Sequence, residues 1–174
     1  MQDQEIGIDA GHGGSPGGTG RLFPDATLPT LGGRSVVLDS YRPRNDLVLL
    51  LLGEDSVSEP ASRLLHQLVA ARADLAAEDG VVLAIATGSP AAWREGWPYD
   101  VPLLFDTDAN LHRRVAAVDE AGRAKTVLYL TDRYREIFAV LRPGDRRWPA
   151  SARDVVEWLT FMNIQCPECN PPER

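Results

Sequence analysis

Two apolar runs stand out along the chain. Leu47 to Leu52 follows Asp46 without a polar interruption and stops at Gly53, and VVLAIA occupies 81–86. Such runs, bounded by turn residues, predict strands covered on both faces. Between them, Ala61, Leu64, Leu65, Leu68 and Leu75 recur at helical spacing while Arg63, Gln67 and Asp74 fall off the stripe, which predicts an amphipathic helix. Ser56 with Glu59 fits a capping box, Ser58 is a competing cap, and Asp79-Gly80 closes the helix. VPLLFD (101–106) reads as a strand, and TVLYLT (126–131) with EIFAVL (136–141) as two strands around the turn DRYR. Ser35 to Leu38 is a further short strand after the turn residues Pro29, Gly32 and Gly33. Ser89-Pro90 opens a short helix through Trp93, and Asn110 to Val118 a second one. Ser151 with Asp154 caps a final helix carrying Val155, Val156, Leu159 and Met162, and the prolines of IQCPECNPPER forbid its continuation. Helices that cross between apolar strands predict an α/β fold, a central mixed β-sheet flanked by helices on both faces.

The ends differ from the middle. GHGGSPGGTG near the N-terminus would lose much backbone entropy on ordering for little burial, so residues 1–20 are expected to form a flexible arm. No Gly-Lys-Ser/Thr follows, so it is not a phosphate-binding loop. Residues 21–163 make one domain, and 164–174 a short tail. With 174 residues and 44% hydrophobic composition, the chain can build its core without disulfide or metal. A formal charge of −7 gives no general attraction toward nucleic acid or anionic lipid. No basic leader precedes an apolar stretch and no run is long enough to span a bilayer, so a cytosolic protein without a membrane partner is expected.

Several strings, in order, resemble the alkyl hydroperoxide reductase/thiol-specific antioxidant branch of the thioredoxin-like proteins, the peroxiredoxin-like redoxins. They are FPDATLPTLGGRSVVLDSYRPRNDLVLLLL, GVVLAIATGSP, VPLLFDTDANLHRRVAAVD and TVLYLTDRYREIFAV, the last with Arg135 where glycine is usual. The resemblance covers residues 22 to about 160 and implies a thioredoxin-like fold with oxidoreductase ancestry. In that family the reactive thiol sits at the top of the helix after the first core strand, often as Cys-x-x-Cys. Here the stretch reads GEDSVSEPASRLL, placing Ser58 and Ala61 at the two thiol positions. Serine cannot replace a thiolate in peroxide reduction, having no sulfenic acid state and a pKa far above neutrality. Glu54, Asp55 and Glu59 surround it with the charge opposite to what a thiolate needs. EAGRAKTV also lacks the proline that faces the family's thiol. Peroxidase chemistry at this position is therefore not expected.

Thiol chemistry falls to the tail, where Cys166 and Cys169 are the only cysteines. Their spacing allows an intramolecular dithiol that exchanges with a protein disulfide or small thiol partner. It equally allows two ligands of a zinc ion, completed by a second chain in a homodimer or by His12. Exposed cysteines without specific chemistry are the third reading, and another covalent or metal role a fourth. A non-catalytic binding or assembly module is the alternative to a redox function.

Asp106 and Asp108 are spaced as in hard-metal loops, but Leu111 and Ala117 stand where a calcium loop requires glycine and glutamate. Capping and turn roles are expected for both, with His112 pairing with Asp108 four residues back. His66 is expected to be an ordinary helical residue, and Ser58 lacks a nucleophile elbow. Trp93, Trp97 and Tyr99 cluster in AAWREGWPYDVP as loop packing or a partner surface.

Overall fold

The computed structural model describes residues 17–53, 57–93 and 97–164. The two apolar runs form neighbouring parallel strands, β3 (Asp46–Leu51) and β4 (Gly80–Thr87), in the middle of a five-stranded sheet. β5 (Leu103–Asp106) extends the sheet parallel to β4; β6 (Val127–Thr131) lies antiparallel to β3, and β7 (Ile137–Leu141) antiparallel to β6. The spatial order is β5-β4-β3-β6-β7, which is the expected mixed sheet. A small hairpin of β1 (Thr27–Pro29) and β2 (Ser35–Val37) stands apart, and Thr30 bridges it to Leu104 on β5.

Side-chain alternation explains why β3 has no polar face. Val48, Leu50 and Leu52 pack in the same core as Leu64, Leu65 and Leu68 of α1 (Glu59–Ala70) and Val155 and Leu159 of α4 (Ala152–Ile164). Leu47, Leu49 and Leu51 belong to the opposite core with Phe23, Leu38, Tyr129 and, on and after α3 (Asn110–Arg114), Leu111 and Val115. The two cores cover both faces of β3, so every β3 side chain is buried.

The single helix expected between the Ser56 or Ser58 cap and Asp79-Gly80 is two helices: Ala71 leaves helical geometry, and α2 (Arg72–Ala77) follows. Asp79 takes a left-handed φ of 55° to turn into β4. Gly80 packs closely there: a Cβ would lie 2.5 Å from Leu159 Cδ1 and 3.1 Å from the Leu75 carbonyl, so a larger residue would displace the Leu159 side chain. α3 is shorter than the expected 110–118, since Ala116 adopts φ 57°. At the other turn of interest, Arg135 sits at φ 70°, the conformation that makes glycine usual. Its guanidinium, nearly buried, donates to the Phe23 carbonyl at 2.6 Å and pairs with Asp39 at 3.1 Å. The strain is thus offset by bonds that glycine could not make.

The directions of the elements fix two ends. β3 and β7 are both antiparallel to β6, so their C-terminal ends share one end of the sheet, the upper one. α4 starts at that end and runs to the foot, where Asn163 donates to the Glu78 carbonyl at 3.0 Å and accepts from Arg133 at 2.6 Å. Arg133 in turn lies 3.9 Å from Asp46, the first residue of β3.

Candidate functional site

In a sheet with parallel central strands, sites form where the strands end. Above β3 the chain passes Leu52 and Gly53, and Ser58 caps the position before α1. The Gly53 N–H donates to Thr126 Oγ1 at 3.2 Å, so the segment leading into β6 faces this turn. Ser58 stands at the N-cap of α1, yet its hydroxyl makes no capping bond. Its Oγ is buried without a hydrogen-bond partner among the described residues. Glu59 is the first helical residue, not the third that the expected capping box with Ser56 requires, and it pairs instead with Arg63 at 2.5 Å. Ser56, Glu54 and Asp55 lie outside the described residues. Ala61 faces the core, fully buried.

One turn further along α1, Ser62 and the Tyr99 hydroxyl share a hydrogen bond of 2.6 Å. Tyr99 continues into a chain of edge-on rings: Trp97 at 4.8 Å and Trp93 at 6.1 Å beyond it, with His66 4.9 Å away on the other side. Trp97 Nε1 donates to the Val101 carbonyl at 2.8 Å, and the rings pack against the α1 core. The aromatic cluster is therefore loop packing that seats α1, and His66 is an exposed end member.

The pairing expected for His112 is corrected. Its partner is Asp106, not Asp108: His112 Nδ1 lies 2.7 Å from Asp106 Oδ2, and the same oxygen accepts the His112 backbone N–H at 2.8 Å. Ala109, in left-handed conformation, reverses the chain between them, so helical spacing does not apply. Both side chains are buried, and His112 Nε2 faces the Leu52 carbonyl at 3.3 Å. Although burial raises its carboxyl, the hydrogen bonds from His112 and Leu111 win, and Asp106 lies below the ordinary carboxylate value. With no exposed ring nitrogen, His112 is a strut from β5 to the top of β3 and not a general base. Asp106 caps α3 as expected, and Asp108 offers its backbone carbonyl to Arg113. Among the described residues no cluster of three or more His, Cys, Asp or Glu could hold a metal ion.

Cys166, Cys169 and His12 lie outside the described residues.

A sheet of this order, with a helix starting above its central strand and a strand pair closing the far side, defines the thioredoxin-like class, in its peroxiredoxin form. The chain belongs to the AhpC/TSA family, whose model matches residues 19–140. By family and fold it is a peroxiredoxin-family redox protein. Among solved structures it is similar to Mycobacterium tuberculosis AhpC, with 17% identity and a TM-score of 0.71, over 86% of this chain and 94% of that one. A cysteine-to-serine variant of Xylella fastidiosa PrxQ gives 17% identity and 0.70, over 86% and 99%. The peroxidoxin BcpB of Mycobacterium tuberculosis gives 18% and 0.69, over 83% and 97%. No curated protein sequence matches the chain. No helix among the described residues is long and apolar enough to cross a membrane.

Proposed function

We propose that this is a peroxiredoxin-family thiol–disulfide oxidoreductase whose chemistry has left the usual site and resides in Cys166 and Cys169. One observation carries the reading: the family-matched domain contains no cysteine at all, and both thiols follow it. The Cys166 thiolate attacks one sulfur of a partner disulfide, whose other sulfur leaves as a thiolate. The Cys169 thiolate then attacks Cys166 in the mixed disulfide, forming the Cys166–Cys169 bond and releasing the second partner thiolate. Both released thiolates take protons from solvent; the partner gains two electrons and the tail loses them. A dithiol reductant restores the tail, and a reducing compartment such as the cytosol would keep it in that state.

The second reading, a binding or assembly module, is favoured by the unpartnered Ser58 hydroxyl, which suits a turn that no longer performs chemistry. In that reading the cysteines are inert or furnish half of a zinc site in a homodimer. Intact native mass of the full chain, taken without chelator before and after dithiothreitol, separates the readings. A monomer that gains about two mass units on reduction is the expected result. Free thiols in both samples, or a zinc-bridged dimer, would overturn the redox proposal.

A further inference from the structure

At the foot of the sheet one arginine joins separate parts of the chain. Arg133, in the turn from β6 to β7, donates from Nη2 to Asn163 Oδ1 at 2.6 Å. Asn163 Nδ2 donates in turn to the Glu78 carbonyl at 3.0 Å and to Glu78 Oε2 at 3.3 Å. These bonds fasten the last turn of α4 to the segment between α2 and β4. They matter there because the turn has few apolar anchors: Phe161 is 46% exposed and Ile164 73%, and among residues 161–164 Met162 alone joins the core.

The same guanidinium faces Asp46, and that contact is unmade. Arg133 Nε lies 3.9 Å from Asp46 Oδ1, and both Arg133 Nε and Asp46 Oδ2 are buried without a hydrogen-bond partner among the described residues. A charge-assisted pair closes to about 2.8 Å, so making this one requires the guanidinium to advance by about 1 Å. A carboxylate that takes an arginine side-on uses Nε and Nη2 together, and Nη2 is the atom bonded to Asn163. The observed arrangement therefore suits an uncharged Asp46. The other charged groups facing Asp46 are Asp132, from the β6–β7 turn, and Asp79, from the turn before β4, and both disfavour its ionisation. From α4 comes the neutral Asn163, and Glu78 is bonded to that residue.

We propose that Asp46 and Asn163 share Arg133 as a latch: an uncharged Asp46 leaves the guanidinium on Asn163, and an ionised Asp46 draws it away and frees the last turn of α4. Burial raises the Asp46 carboxyl to about 6, so the latch is closed in mild acid and open at neutral pH. Cys166 follows Asn163 by three positions in the sequence, so the latch acts on the helix end that leads to the two cysteines. The inference does not depend on the redox reading, because every group in it belongs to the described domain.

Native-state hydrogen exchange on the full chain tests it, read by NMR at about pH 5 and about pH 7 and corrected for the intrinsic rates at each pH. Amides of residues 160–164 report the latch, and those of β3 report global opening. In the wild type, protection over 160–164 is expected to fall by about tenfold from the lower pH to the higher. Asp46→Asn, uncharged at both, should keep the low-pH protection within about twofold, and Asn163→Ala should show weak protection at both. Wild-type protection over 160–164 that stays constant or rises with pH would overturn the proposal. So would an equal fall in Asp46→Asn, or a fall confined to β3. The wild-type comparison stands even where a variant fails to fold.

Discussion

Asp106 and His112 form a buried pair, 2.7 Å apart, that ties the end of β5 to the last residue before the Ser58 turn. Neither side chain reaches solvent, so the pair acts on structure. It decides where the top of β3 lies relative to β5 and hence how the turn above it is presented.

Removing one member should cost far more than removing both. His112→Leu leaves a buried carboxylate without its ring partner and is expected to lose about 3 kcal/mol or more in urea unfolding. Asp106→Leu combined with His112→Leu should recover a large part of that loss, and additive single effects would contradict the pairing. The contribution also has a pH signature. Because the folded-state carboxyl of Asp106 lies below its ordinary value, the native protein binds that proton less tightly than the unfolded chain. The stabilisation is present above pH 4 or so and fades as pH falls through the lowered value.

Ser58 gives the opposite expectation from an ordinary cap. A serine that bonds the first helical N–H groups loses about 1 kcal/mol when replaced by alanine. Here the hydroxyl is buried and has no partner among the described residues, so Ser58→Ala should be neutral or stabilising by up to about 1 kcal/mol. Thermal unfolding of the two proteins decides between a capping serine and an idle one.

At the foot of the sheet, Asp46 is 1% exposed and one of its oxygens has no partner among the described residues. Burial pushes its carboxyl up to about 6; Arg133 opposes the rise while Asp132 and Asp79 add to it. The folded state therefore holds this proton more tightly than the unfolded chain, whose value is near 3.8. Its stabilising contribution is full below pH 4 or so and is lost as pH rises through 6, by about 3 kcal/mol in total. Asp46→Asn should remove that slope and raise stability at pH 7. A wild-type and variant difference that stays constant from pH 4 to 7 would contradict the assignment.

Much of the fold was legible because it rests on local pattern. The uninterrupted Leu47–Leu52 run could only be a strand covered twice, and the two cores supply the covers. Arg135 was legible through resemblance, and its φ of 70° bears out a glycine position. The break at Ala71 was not, because neither glycine nor proline marks it. The Asp106–His112 pair was missed for a different reason: helical spacing was applied across Ala109, which is left-handed. The cap expected at Asp106 is present, but a cap alone does not place the His112 ring on the same carboxylate. Asp46 gave no signal, since one polar residue opening a strand looks the same whether it is buried or solvated.

The central claim is that thiol exchange belongs to the tail and not to the turn above β3. Reduction of a model disulfide protein such as insulin, driven by dithiothreitol, tests it with wild type, Ser58→Ala and Cys166→Ser side by side. The rate should be unchanged within about twofold in Ser58→Ala and fall by about tenfold or more in Cys166→Ser. A Cys166→Ser protein as fast as wild type, or a Ser58→Ala protein that has lost the activity, would contradict the account.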